Sequence, residues 1–190
     1  MIEPVEYVFK RLTARFGGND RFILERVAIA EIDGAKDFYY LQESTPGENL
    51  PAWYDQLGSF SLPTILKHRE DIPDIESRLR KVSCSCMTFR SLCDKHGVKN
   101  IDLIHIDTEG FDYEVLKLIE LDHHRPTLVM YEHKHLSEVD HEAARTLLTE
   151  RGYLLAGNAA DTLAASSSAI EAEPLLRAAW AIVTRTMGAS

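Results

Sequence analysis

Two acidic residues, Asp107 and Glu109, stand where an apolar run stops and a glycine, Gly110, follows. The run Ile101-Asp-Leu-Ile-His-Ile106 has the makeup of a buried strand, and Phe111 to Ile119 has that of a helix. Carboxylates at such a junction lie beside a helix N-terminus, whose dipole favours negative charge. There they can take a proton from a substrate hydroxyl. Equally, Glu109 and Asp112 can do no more than complement the dipole, as acids at helix starts often do. Leu128-Val-Met-Tyr-Glu132-His133 repeats the pattern, an apolar run ending in an acid and an imidazole. His133 has the chemistry of a general base, and also that of a solvated strand end.

Other histidines and cysteines offer metal ligands. His133, His135 and His141 with Asp107 or Glu109 make a His/carboxylate set. However, His133 to His135 runs from a strand into a loop, and His123-His124 precede Pro126 in a connector, so exposed histidines account for them. Cys84-x-Cys86 with Cys93 and His96 supplies four further ligand atoms. The two close cysteines share the inward face of an alternating strand, where a thiol behaves as a small hydrophobe. No metal is assigned on this reading.

Elements must position these side chains. Pro4 suits a first helical turn, and Val5, Val8, Phe9, Leu12 and Phe16 recur at helical spacing until Gly17-Gly18. Phe22 to Ala30 reads as a buried strand, and a turn at Asp33-Gly34 leads into Asp37 to Leu41, a strand antiparallel to it. Residues 42 to 80 are rich in proline, glycine and charge, and read as a mobile insertion or lid with a short helix over Pro73 to Leu79. Lys81 to Cys86 alternates as a half-buried strand, and Thr88 starts a helix that Gly97 closes. After the two strands already named, Ser137 and Asp140 open a helix in capping-box spacing. Tyr153 to Ala156 and Thr162 to Ala165 form a closing strand pair, and 166–190 a helical extension, with a helix over Pro174 to Met187. Strands alternating with helices predict one α/β domain over 1–190, a mostly parallel sheet with helices on both faces. In such sheets ligands bind beyond the carboxyl ends of the strands, where Asp107, Glu109, Glu132 and His133 fall.

Bulk properties narrow the classes. The 190 residues suit a single buried core, and a net charge of −9 disfavours a nucleic-acid partner. Apolar runs fall short of the roughly 18 residues a membrane span needs. Met1-Ile2-Glu3-Pro4 lacks the basic and apolar regions of a secretory signal, and three cysteines do not suggest a disulfide scaffold, so cytoplasm is expected. Homo-oligomerisation is an open expectation.

The segment Ile101 to Lys117 resembles the Ile-Asp-hydrophobic-Ile-Lys-Ile-Asp-x-Glu-Gly signature, followed by Val-Leu, of FkbM-type methyltransferases. Glu3-Pro4 is similar to the acidic end of that family's second strand, Val27-Ala-Ile-Ala30 to its third, and Thr88-Phe-x-Ser-Leu to a helix start. Leu128 to His133 resembles its fifth strand, and Asp161-Thr-Leu-Ala164 a common ending. The resemblance implies a Rossmann-like class I methyltransferase sheet and S-adenosylmethionine as cofactor. It also implies that Glu3, Ala30 and Asp107 meet the cofactor, with Glu3 accepting from the ribose hydroxyls. Asp107, Glu109 and His133 would be catalytic, with Asp107 facing the transferring methyl or the substrate hydroxyl. Glu132 would line the acceptor side, and Trp53 and Tyr54 would stack on an acceptor ring, although core packing explains those aromatics equally.

One family feature has no counterpart here. The first strand and its Asp-x-Gly-x-Asn-x-Gly loop belong before Glu3, so the expected sheet lacks its first strand. A trimmed polypeptide, a misplaced start codon and a degenerate relative all fit this. Two glycines fewer at that loop would deny the backbone its close approach to the cofactor. The implied function is O-methylation of a hydroxyl on a sugar, glycolipid or polyketide-like acceptor. The alternatives are a non-catalytic binding or assembly module derived from a methyltransferase, and a metal-dependent hydrolase. Unless upstream codons encode the glycine loop, the chain as it stands is expected not to bind S-adenosylmethionine.

Overall fold

The computed structural model describes residues 1–188, so Ala189 and Ser190 at the end of the expected extension lie outside it. The chain divides into two compact units, one ending at Thr88 and the other beginning at Phe89.

The first unit opens with α1 (Glu6–Phe16), ended by Gly17, as the spacing predicts. Its sheet has the order β1-β4-β2-β3, from β1 (Ala28–Ile29), β2 (Gly34–Leu41), β3 (Gly58–Ser59) and β4 (Leu79–Met87). β1 runs parallel to β4, whereas β2 is antiparallel to both β4 and β3. Ile2 adds a parallel bridge to Glu25. Cys84 and Cys86 point inward with Val5, Ala28, Ala30 and Phe38, which is the packing role expected of them. Burial pushes both thiols above their ordinary range, as an apolar site disfavours a thiolate.

The stretch from 42 to 80 is not structureless. It carries α2 (Leu62–Leu66), α3 (Ile75–Arg78) and a single 3-10 turn (Tyr54–Gln56). Leu41, Tyr54, Leu57, Ile65, Ile72 and Ile75 close a core of their own, each 1% exposed or less. These apolar residues are spread too irregularly among prolines and charges to register as periodic.

The second unit begins with α4 (Phe89–His96), after which Gly97 takes a left-handed conformation (φ 63°). Its sheet has the order β5-β6-β8-β7, from β5 (Leu103–Ile106), β6 (Leu128–Glu132), β7 (Tyr153–Gly157) and β8 (Asp161–Ser166). Between strands lie α5 (Asp112–Leu118), α6 (Leu121–His124) and α7 (Glu138–Thr149). Ser137 caps α7 by accepting from the Asp140 N–H at 3.1 Å. Ile104, Ile106, Leu116, Val129, Tyr131, Ala144 and Leu148 are among the core residues. α8 (Ser167–Ala172) and α9 (Pro174–Met187) follow. Among the described residues no helix is long and apolar enough to cross a membrane.

Two expectations are corrected. The sheets are mixed, each with one parallel and two antiparallel pairings, and not mostly parallel. The link from β7 to β8 is only Asn158 to Ala160, and a connection that short can join only antiparallel neighbours. In the first unit the expected strand Phe22 to Ala30 shrinks to β1, and β2 pairs with β4 instead of with it. The nine residues of β4 offer β2 a full ladder, and β1 offers two.

Candidate functional site

β5 and β6 run parallel with Ile106 opposite Tyr131, so Asp107, just past β5, and Glu132, the last residue of β6, fall at the carboxyl ends of the pair. Asp107 is exposed and begins the loop to α5. Within that loop Glu109 and Gly110 both have positive φ, 54° and 99°. A left-handed residue other than glycine costs about 1 kcal/mol, so Glu109 needs a structure that holds it there.

Asp112 provides it. Its carboxylate is fully buried, and Oδ2 accepts from the Thr108 hydroxyl at 2.9 Å and from the Thr108 and Gly110 N–H groups at 3.3 Å. Oδ1 accepts from the Glu132 N–H at 3.2 Å. One side chain thus ties the loop after β5 to the end of β6. Burial raises the Asp112 pKa, and the four donors work against that shift. In sequence Asp112 reads as one of the acids that complement a helix dipole, because an acid in the first turn looks the same whether exposed or buried. Its four-residue spacing from Thr108 was the one available signal.

Glu109, Glu132 and His135 meet next to this clasp. His135 Nε2 lies 3.5 Å from Glu109 Oε2 and 3.8 Å from Glu132 Oε1. The Glu109 and Glu132 side chains are 13% and 18% exposed, so solvent screens their mutual repulsion poorly. Glu132 is pushed above the usual carboxylate range, first by burial and then by Glu109, Asp107 and Asp112, while His135 opposes the shift. Its Oε2 is buried without a hydrogen-bond partner.

His133 turns elsewhere. Its ring stacks on that of His141 at 4.1 Å and 5°, and its Nδ1 is 2.9 Å from the Thr162 hydroxyl, which His141 Nε2 approaches at 3.5 Å. Burial lowers the pKa of both rings, which favours neutral imidazoles. Of the histidines weighed as metal ligands, His133 and His141 pair with each other, and His135 joins the carboxylates. Thr162, 1% exposed, stands in sequence only as part of the strand segment Asp161-Thr-Leu-Ala164, with nothing to mark its contact with the two rings.

The remaining predicted residues lie in the first unit. Glu3 Oε1 accepts from the Val5 N–H at 2.6 Å, and burial raises its pKa. Ala30 is 2% exposed, with its N–H on the Met87 carbonyl. Trp53 is half-buried with its ring 4.9 Å from that of His68. Tyr54 is 1% exposed and donates to the Gln42 carbonyl at 3.0 Å.

The family model described as the methyltransferase FkbM domain matches residues 1–155. The chain belongs to the FkbM methyltransferase family. No curated protein and no solved structure matches it. The FkbM match takes in the Asp107–Gly110 loop, Asp112, Glu132, His133, His135 and His141, and it ends inside β7, before Thr162. As a methyltransferase fold, the FkbM domain raises the question of whether residues here suit a sulfonium-bearing nucleoside cofactor. Glu3 suits one part of it: with Oε1 fixed by Val5, Oε2 is left to accept from a sugar hydroxyl.

Proposed function

We propose that this FkbM protein is an S-adenosylmethionine-dependent O-methyltransferase acting on a hydroxyl of a sugar, glycolipid or polyketide-like acceptor. The observation that supports it most is the convergence of Asp107, Glu109 and Glu132 at the carboxyl ends of the β5–β6 pair, in a chain of this family. The cofactor, when bound, supplies an electrophilic methyl group on a sulfonium. Methyl transfer to oxygen is an in-line displacement, so the protein's share is alignment and removal of the hydroxyl proton.

In this reading Glu3 accepts from the ribose hydroxyls, and Ala30 forms part of the buried floor beside them. Asp107, the exposed carboxylate at the strand end, or His133 accepts the acceptor's proton. A neutral His133 has a basic nitrogen for this, and Thr162 orients the ring. Glu109 and Glu132 line the acceptor side, held in register by Asp112. Trp53 carries the ring contact proposed for the aromatic pair, and the buried Tyr54 steadies it.

Transfer of a labelled methyl group from S-adenosylmethionine to hydroxylated acceptors tests the proposal, on the chain and on any longer polypeptide its gene encodes. Asp107→Asn and Glu109→Gln are expected to lower turnover by about a hundredfold or more, within the range of general-base losses, with the fold intact by circular dichroism. Normal turnover in both variants would remove the assignment.

A further inference from the structure

The geometry points to a divalent-cation site made by Glu109, Glu132 and His135, of a kind that takes a first-row transition ion such as Zn2+ or Mn2+. From the sequence alone, exposed histidines account for His133, His135 and His141; in the fold His133 and His141 stack on each other, and His135 joins the carboxylates. The metal-ligating atoms of Glu109, Glu132 and His135 all lie within 4.8 Å of one another among the described residues. Tetrahedral coordination at bonds of about 2.0–2.1 Å separates ligand atoms by roughly 3.3–3.4 Å. The two His135 contacts, at 3.5 and 3.8 Å, need only a few tenths of an ångström of closure.

Three further features favour a cation over an acidic patch in water. The set mixes one imidazole with two carboxylates, a combination suited to borderline ions more than to Mg2+ or Ca2+. Glu132 Oε1 faces His135 while its Oε2 is buried with no hydrogen-bond partner, so a cation held by both oxygens would satisfy an atom that the protein leaves unsatisfied. The ligands are also fixed from behind, since Asp112 accepts from the Glu132 N–H and the Gly110 N–H, and such support orients metal ligands. Three protein ligands leave a coordination position open, as in metal sites that handle substrate. Use of that position on an acceptor hydroxyl rests on the proposed methyl transfer; binding of the ion does not.

The test is calorimetry on the full chain, stripped with chelator and titrated with ZnCl2 and with MnCl2 in the absence of cofactor and acceptor. One equivalent of at least one ion is expected to bind with micromolar or tighter affinity. His135→Ala, Glu109→Gln and Glu132→Gln should each weaken it by about tenfold or more, whereas His96→Ala in α4 should not. Circular dichroism checks that each variant is folded, and the two isosteric glutamine variants keep the test valid if His135→Ala is not. No binding up to millimolar metal, or stoichiometric binding that all three variants leave unchanged, would overturn the site.

Discussion

Each unit contains one parallel strand pair, and the two pairs end very differently. Beyond β1 and β4, the acids are matched with donors: Glu31 pairs with Lys36 at 2.8 Å, and Asp33 accepts from the Thr88 N–H at 2.7 Å. Beyond β5 and β6, Glu109 and Glu132 face an imidazole, Asp107 adds its charge, and a buried Asp112 holds the backbone that presents them. The same local topology thus gives one end where the acids meet donors and one where several carboxylates crowd around an imidazole. Such arrangements disfavour stability and are found where charge is used.

That contrast is open to direct attack. The largest expected effect is on turnover: Asp107→Asn should lower methyl transfer about a hundredfold or more, while Glu31→Gln at the corresponding end of the other sheet should leave it unchanged. Equal losses in the two variants would erase the distinction. Next comes Asp112→Ala, which strands several buried N–H and O–H donors and should cost about 3 kcal/mol in urea denaturation. Asp33→Ala, which removes the exposed bond from the Thr88 N–H, should cost about 1 kcal/mol.

Glu132→Gln should behave in the opposite direction, raising stability by about 0.5–1 kcal/mol while reducing transfer, because it removes a carboxylate whose charge is disfavoured first by burial and then by Glu109 and Asp107. A lower melting temperature in this variant would show that its charge is compensated. The smallest effect concerns acid. In the first unit Arg78 hydrogen-bonds Glu48 and holds its carboxyl down to about 2 from 4.5. A depressed carboxyl contributes stability that is present above pH 4.5 and is lost as pH falls toward 2. Thermal melts across that window should flatten in Glu48→Gln.

How much of this was legible in the sequence depends on which physical signal each part leaves. α1, α7, α9 and the β7–β8 pair were marked by period, caps and turn residues, and the structure has them where the spacing placed them. Asp107 and Glu132 were found because an apolar run that stops at an acid marks a strand's carboxyl end. Pairing partners were not legible: nothing local tells β2 to choose β4 over β1, since register is decided between strands. Nor was the small core of Leu41 to Ile75, whose members converge from an irregular chain. Asp112 was passed over, and His135 was weighed with His133 and His141 and not with Glu132, for one reason: burial and proximity decide what a side chain meets, and neither is written in residue order.

β8 has a practical consequence for anyone trimming this protein. It lies between β6 and β7 and bonds to both, yet the family match stops at residue 155, before it begins. A polypeptide cut at the edge of the match would leave β7 with no sheet to join and β6 with a raw flank. The dispensable-looking tail is the mortar between the last two courses, and truncation there is expected to yield insoluble material.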